Sequence, residues 1–390
     1  MIYMVDHRFL RIFISGVVAF YAAILSFILL VDPYNTSPLQ VHISGFNLYK
    51  PMSVGIDRHT KPFMVWAIQP ATIFLGTSRI HQSIDPKELD GTFLAPAYNA
   101  SVPASDLGLS RSDLEYYKTL DPRLRTVFIE IFLYNYLGQP PTLITRNFTD
   151  LIADGVSLFA SVDTFRNSLQ TVMYNIVNGS PVPQVQRGGF YTYPPGHDTS
   201  GPFAGFPKGI WDIYDKGAKA SSTGKPELHP PAFDALKDLV GIARARGLEL
   251  RFILTPQHAY QMYYIQASNQ WALLSSWIEQ ITHIAPVISF SQPNEVTYEP
   301  VSSHMRYWND PFHFSTDLGR LIQASLAGRP LPGTPANFMQ VLTPVNAQDY
   351  VKAQRAAITE WAAQHPDFVK QMKEAAPVTI QRNQDSGKAH

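Results

Sequence analysis

Residues 71–79 read Ala-Thr-Ile-Phe-Leu-Gly-Thr-Ser-Arg. The short apolar, β-branched run Ala71 to Leu75 predicts a buried strand, and Gly76-Thr77-Ser78-Arg79 ends it in a sharp turn. Reading outward, Ala95 to Tyr98 is a second short apolar run leading into Asn99. Asp106 to Leu120 has helical spacing through Leu107, Leu114, Tyr117 and Leu120, and stops before Pro122. Thr126 to Leu133 is almost continuously apolar, the pattern of a strand covered on both faces. Further on, Phe233 to Ala245 is a helix ending at Gly247, and Leu248 to Thr255 is a strand ending at Pro256. Trp271 to Ile284 is a helix, Pro286 to Phe290 a strand, and Ser315 caps a helix to about Leu326, with Asp317 in its first turn. Short apolar strands alternating with amphipathic helices predict an α/β domain over 70–333, a mostly parallel sheet with helices on both faces.

The alternation breaks over 138–230. Asp150 to Val177 reads as an amphipathic helix, whereas Asn178 to Pro230, with its GGFYTYPPGHD stretch and other Gly/Pro turns, shows no element. A loop of that length inside a domain is usually functional or poorly ordered. We read 138–230 as an insertion over the site, a lid or substrate surface; structural packing explains its aromatics, Phe190 to Pro195 in particular, equally well. Past Pro332 the pattern changes again. Residues 334–390 read as a polar, exposed helix over Asn346 to Glu374 and a disordered tail, QRNQDSGKAH.

Ile12 to Val31 carries no charge and is about the 20 residues that a helix needs to cross a bilayer. Arg8 and Arg11 precede it and Asp32 follows, which favours an amino-terminal flank (1–11) in the cytoplasm and the rest outside. The run is longer than a signal peptide's, and LLVDPYN lacks a small-x-small cleavage site. The expectation is an uncleaved single-pass anchor over 12–31, then an extended, wrapping connection over 32–69.

Composition removes whole classes of chemistry. The 390 residues contain no cysteine, which excludes disulfides, thiolate metal sites and cysteine nucleophiles. Lys plus Arg and Asp plus Glu number 31 each, and the basic residues are scattered, so nothing resembles a nucleic-acid footprint. No glycine-rich loop opens a helix in the manner of a nucleotide site, and no cofactor is expected. His81, His304, Asp85 and Glu130 offer ligand atoms, but no histidine pair has a recognisable metal spacing, so no metal is expected.

In an open parallel sheet, ligands sit at the carboxyl ends of the strands. Ser78 falls there, where helix N–H groups favour a developing negative charge, although a serine after a strand also serves as a helix cap. Trp308-Asn309-Asp310-Pro311-Phe312-His313-Phe314-Ser315 lies late in the chain, just before a predicted helix. A serine nucleophile needs a base, and an imidazole base needs a carboxylate to hold its tautomer. Asp310 and His313, three apart on an Asp-Pro turn, supply both; the bland reading is a surface turn with an incidental histidine. Arg79 reads either as a guide for an anionic substrate or as a structural, salt-bridged arginine. His258, after Pro256, reads as a structural histidine near the same sheet edge.

These residues carry a resemblance to the SGNH (GDSL-like) hydrolase superfamily, in which Gly-x-Ser follows the first strand and Asp-x-x-His closes the domain. Here they are Gly76-Thr77-Ser78 and Asp310-Pro311-Phe312-His313. Within that superfamily the chain resembles more closely the membrane-anchored bacterial branch that acylates cell-envelope polymers, including alginate O-acetylation proteins and the teichoic acid D-alanyl transfer protein. The matching stretches are Gly76–Pro86, Tyr98–Asn99 and Asp310–Gly319, within roughly residues 70–325. The chain departs from the family in two blocks: Asn99-Ala100-Ser101 replaces the second-block glycine, and Phe132-Leu133-Tyr134-Asn135 replaces Gly-x-Asn-Asp.

The resemblance implies a flavodoxin-like SGNH fold behind one transmembrane helix, in the bacterial inner membrane with the main domain in the periplasm or cell exterior. It implies Ser78 as nucleophile, His313 as base, Asp310 as its partner, and an oxyanion site from the Ser78 N–H, the Asn99–Ala100 region and a side chain at Tyr134 or Asn135. The implied activity is O-acetylation of an envelope or extracellular polysaccharide through an acyl-serine, with a membrane-bound partner handing over the acyl group. Hydrolysis of an acyl ester by the same residues is the second expectation. The third is a catalytically silent scaffold or polymer-binding subunit.

Overall fold

The structure, a computed structural model, describes residues 7–137, 141–177, 179–193, 199–219 and 225–377. Among these, 7–68, 147–187 and 191–193 form one compact unit, and 69–146, 188–190 and 199–377 form the other. The expected tail, the first six residues of the amino-terminal flank, and 194–198 of the aromatic stretch lie outside the described residues.

The strands are β1 (Thr72–Leu75), β2 (Ala97–Asn99), β3 (Thr126–Ile131), β4 (Gln184–Val185), β5 (Tyr191–Thr192), β6 (Glu249–Leu254), β7 (Val287–Ser289) and β8 (Gln340–Leu342). In the second unit the sheet runs β2-β1-β3-β6-β7-β8, with every neighbour parallel except β8 against β7. β1 and β3 are buried along their full length, which requires cover on both faces. Helices Leu107–Leu120, Pro230–Arg246 and Trp271–Ile284 pack as one set, and Ser78–Ser83 packs with Thr316–Leu326 as another. The expected mostly parallel α/β sheet is therefore present.

The strands persist because their side chains do. Phe74 of β1 and Phe128 of β3 stack with centroids 4.9 Å apart. Ile80, Ile84, Ile253, Phe290, Trp308, Phe314 and Leu318 belong to the same core. Each such buried side chain contributes about 1.5–3 kcal/mol. The same cluster thus holds the residues just after β1 and those on either side of Asp310 to His313.

Several elements differ from the sequence reading. Ser200–Lys219 is a helix, although four glycines and two prolines punctuate it; Phe203, Phe206, Ile210 and Trp211 are buried at helical spacing, and that burial outweighs propensity. Asp57–Ile68 is a helix despite Pro62, in the segment expected to be extended. The single helix read over 150–177 is two, Phe148–Ala160 and Val162–Val177. Ala259–Ala267 is a further helix, and β8 is an edge strand too short to carry a periodic signal. The carboxy-terminal helix breaks before Pro366 into Ala347–Gln364 and Pro366–Ala375, and it is not wholly exposed, since Tyr350, Ile358, Phe368 and Met372 are buried.

In the first unit, helix His7–Val31 is the one described helix long and apolar enough to cross a membrane. Its last carbonyls are capped from the following segment: Asn47 Nδ2 donates to Leu30 O at 2.7 Å and Lys50 Nζ to Val31 O at 2.7 Å. Burial pulls the Lys50 pKa down to about 8, against the opposing pull of Asp32. Helices Phe148–Ala160 and Val162–Val177 pack on the end of His7–Val31, with the Phe27 ring edge-on to Phe165 at 5.8 Å.

Candidate active site

β1, β3 and β6 release their chains at one edge of the sheet: β1 into Gly76-Thr77-Ser78, and β6 into Thr255-Pro256. Gly76 has no side chain because Glu130 of β3 occupies that space; a Cβ there would lie 2.8 Å from Glu130 Cβ and 2.9 Å from Glu130 Oε2. Glu130 is the one carboxylate in its strand, 2% exposed, and it reaches both the turn after β1 and Thr255 after β6. Its Oε2 accepts from Thr77 N–H at 2.8 Å and Thr77 Oγ–H at 2.7 Å, while Oε1 accepts from Thr255 Oγ–H at 2.9 Å. Thr77 in turn caps helix Ser78–Ser83 by accepting from Arg79 N–H at 3.2 Å.

The second half of the site arrives by close helix packing. Gly319 sits directly on the Ser83 carbonyl, where a Cβ would overlap the oxygen, and Ser83 Oγ donates to Phe314 O. Gln323 Nε2 donates to Asp85 O at 2.7 Å. These contacts lock Thr316–Leu326, and the turn before it, against the segment after β1. That turn is closed by a Trp308–Phe314 bridge and by Asn309 N–H donating to His313 O at 2.9 Å, and Trp308 Nε1 donates to Val296 O at 3.1 Å. Phe206 of Ser200–Lys219 packs on Phe312, centroids 5.6 Å apart, so part of the expected insertion does lie against this turn.

The result is a continuous chain of hydrogen bonds. Ser78 Oγ lies 2.8 Å from His313 Nε2, and His313 Nδ1 lies 2.7 Å from Asp310 Oδ2. Asp310 Oδ1 accepts from the N–H groups of Phe312 at 2.7 Å and His313 at 2.9 Å. Burial pushes the Asp310 carboxyl up, but the His313 bond and charge and the two N–H donors outweigh it and hold its pKa below the usual carboxylate value. Asp310 is therefore anionic at neutral pH, Nδ1–H points at it, and Nε2 is left with its lone pair toward Ser78. Ser78 is half-buried, and its N–H has no acceptor among the described residues. Such an arrangement can take a proton from a serine hydroxyl and return it to a leaving group.

No family model, curated protein or solved structure matches this chain.

The other expected site residues distribute differently. Asn99 and Ala100 are not available as oxyanion donors. The Ala100 N–H extends the β1–β2 ladder by donating to Phe74 O at 2.9 Å, and the Asn99 N–H donates to Gly188 O at 2.9 Å. Asn99 Nδ2 is spent on the carbonyls of Ile80 (2.9 Å) and Ile84 (2.8 Å), where it caps the helix that starts at Ser78. Tyr134 keeps its hydroxyl buried without a hydrogen-bond partner among the described residues, and burial holds the phenol neutral by raising its pKa far above the usual value. Asn135 is half-buried, with its N–H given to Phe132 O at 2.9 Å.

Arg79 does not present its charge to solvent. It is 2% exposed, its Nη2 donates to Pro256 O, its Nε lies 3.5 Å from Glu130 Oε1, and its guanidinium stacks 4.3 Å from the Phe132 centroid. Burial lowers its pKa to about 10, with Glu130, Asp310 and Tyr134 opposing that shift. The substrate-guiding role is thus replaced by a structural one, a buried cation behind the turn. His258 is structural as well: Nε2 donates to Glu299 O at 3.0 Å, Nδ1 accepts from Tyr260 N–H at 3.2 Å, and the ring packs edge-on to Trp308 at 5.1 Å. His81 is buried in the short helix after β1, His304 is exposed, and Asp85 caps Lys87 N–H at 3.0 Å. Among the described residues no group of three or more His, Asp or Glu side chains is placed to hold a metal.

The sequence reading weighed Glu130 only as a metal ligand and missed its role under the Gly76–Ser78 turn. The signal was there: one carboxylate inside Thr126-Val-Phe-Ile-Glu-Ile-Phe132 needs buried partners.

Proposed function

We propose that this chain is a membrane-anchored serine acyltransferase of SGNH type, working through an acyl-serine at Ser78. One observation carries the reading: the 2.8 Å and 2.7 Å contacts that join Ser78, His313 and Asp310 across 235 residues of sequence. His313 Nε2 accepts the Ser78 proton as Oγ attacks the acyl carbonyl. The oxyanion takes the Ser78 N–H, with Tyr134 or Asn135 as side-chain donor. Collapse expels the donor's leaving group, which receives the proton from His313. An acceptor hydroxyl then gives its proton to His313 and attacks the acyl carbon, and His313 returns the proton to Ser78 Oγ as the acyl–serine bond breaks.

The strand order β2-β1-β3-β6-β7, with its switch point beside β1, supports a flavodoxin-like SGNH architecture, because such sheets bind ligands at that edge. The apolar amino-terminal helix, with Arg8 and Arg11 before it, supports a domain held on the outer side of a bacterial inner membrane. An envelope polysaccharide hydroxyl is then the acceptor within reach, and a membrane-bound partner the source of the acyl group. Hydrolysis is the second reading, favoured by the 22% and 20% exposure of the His313 and Asp310 side chains, which admits water as acceptor.

The test is covalent labelling. A fluorophosphonate should modify the folded wild-type protein at Ser78 and leave Ser78→Ala unmodified. A folded wild type that stays unlabelled refutes the enzyme and leaves the silent scaffold. Acetate release from an activated ester with no acetylated oligosaccharide refutes transfer in favour of hydrolysis.

A further inference from the structure

Helix Val162–Val177 is built inside out for a protein in water. Its buried residues are Thr164, Ser168, Thr171 and Asn175, none more than 3% exposed. Its exposed residues include Val162, Leu169, Met173 and Ile176, at 84%, 46%, 58% and 63%, with Asp163, Arg166 and Gln170 as the polar residues on the exposed side, Arg166 long enough to carry its charge along the helix toward the headgroups. The buried polar groups are satisfied internally: Ser168 Oγ donates to Thr164 O at 2.8 Å, Thr171 Oγ1 to Asn167 O at 2.8 Å, and Asn175 Oδ1 accepts from Tyr49 N–H at 2.9 Å. The neighbouring helix Phe148–Ala160 turns Asp154 inward to His59 at 2.7 Å. It exposes Phe148, Ile152 and Val156 at four-residue spacing, and none of its exposed residues is charged. Small hydroxyl and amide side chains between helices, with aliphatic ones outside, is the arrangement that suits a hydrocarbon solvent. Water-soluble monomers rarely expose contiguous apolar surface of this kind.

Length points the same way. All of residues 7–23 of the amino-terminal helix are exposed, while from Ile24 onward the helix is covered on one side by Phe148–Ala160 and Val162–Val177. After Arg11 the bare apolar stretch is residues 12–23, about 18 Å at the helical rise. The hydrocarbon core is about 30 Å thick. A helix that spans it must sink roughly 12 Å further, which is residues 24–31, and those residues carry both covering helices with them to the bilayer boundary.

We infer that Phe148–Ala160 and Val162–Val177 form a lipid-embedded hairpin beside the anchor, their outward faces seated in the acyl-chain region of the same bilayer. This rests on the membrane-spanning part of the proposed function and is independent of the chemistry at Ser78.

The chain has no cysteine, so single labels are unambiguous. Full-length Phe20→Cys, Ile152→Cys, Met173→Cys and Lys352→Cys variants would each carry an environment-sensitive nitrobenzoxadiazole dye. Each is reconstituted into phosphatidylethanolamine/phosphatidylglycerol vesicles containing doxyl-labelled lipid. The expected result is blue-shifted emission and quenching by shallow doxyl groups at 152 and 173, quenching by deep doxyl groups at 20, and neither effect at 352, whose side chain is 77% exposed. Labels at 152 and 173 that behave like 352 while 20 is quenched overturn the hairpin and leave the anchor. Labels at 152 and 173 that are blue-shifted yet deaf to lipid quenchers overturn it too, because protein then covers that face. An unquenched label at 20 overturns the anchor itself, and the hairpin with it.

Discussion

Glu130 Oε2 takes two hydrogen bonds from one residue, the N–H and the hydroxyl of Thr77, at 2.8 and 2.7 Å. The carboxylate thereby fixes the backbone one residue before Ser78, and its other oxygen faces Thr255 and Arg79. Glu130→Gln puts an amide NH2 where only an acceptor fits and leaves Arg79 without its buried counter-charge. Breaking one side of such a pair should cost about 3–5 kcal/mol in urea unfolding, and an Arg79→Met/Glu130→Met double variant should recover part of that loss. The labelling rate of Ser78 should fall in Glu130→Gln even where the protein remains folded. Unchanged stability and unchanged labelling together would remove Glu130 from the site.

How much of this was legible from sequence depended on whether the determinant is local. The strand, glycine and serine at 71–78 are consecutive, and Asp310 and His313 close their own turn, so both halves of the site could be read directly. Their meeting depends on Gly319 lying on the Ser83 carbonyl, a contact between residues with no common pattern. That the N–H groups of Asn99 and Ala100 are not free was not legible, because a free N–H is whatever the fold leaves over, and here Gly188 O takes one and Phe74 O the other. Ser200–Lys219 was hidden by its glycines and prolines. Val162–Val177 showed its period but not which face points inward, since its buried side is the polar one.

Asp310→Asn tests the tautomer argument. Asparagine can still accept from the N–H groups of Phe312 and His313, so the turn survives. Its amide NH2 faces Nδ1, however, which then accepts, and the His313 proton moves to Nε2, toward Ser78. Loss of the base should slow acyl-serine formation on the order of 10⁴-fold in a protein that remains folded at pH 7. Because the carboxyl pKa is held below its ordinary value, the stability that Asp310 contributes is present above about pH 4 and lost as pH falls through the lowered value. Asp310→Asn should lack that acid-limb loss. A rate within tenfold of wild type would show that Asp310 does not orient the base.

Gly319→Ala probes how the halves of the site are brought together. A methyl group there must displace the Ser83 backbone, since the carbonyl carbon would lie only 2.7 Å away. Overpacking of this kind should destabilise by about 1–3 kcal/mol. It should also slow labelling of Ser78 more than Gly241→Ala does, a control in the same unit with nothing within 4 Å of the added carbon. Equal labelling rates in the two variants would mean that the contact does not set the Ser78–His313 distance.

His258 supplies a pH signature that is separate from the Ser78–His313–Asp310 chain. It is 1% exposed, and burial pulls its pKa from 6.5 down to about 4, with the Glu299 carbonyl opposing the shift. The unfolded chain therefore binds a proton between pH 6.5 and 4 that the folded chain refuses. Stability falls as pH drops through that window and is fully restored above it. From pH 7 to pH 5 the loss from this one group should be about 2 kcal/mol. His258→Gln removes the titration, so its urea midpoint should shift less between those two pH values than the wild-type midpoint does, even though the variant starts less stable for lack of the Glu299 and Tyr260 contacts. Parallel pH shifts in both proteins would mean that His258 titrates normally, and that the ring packed on Trp308 is not shut away from water.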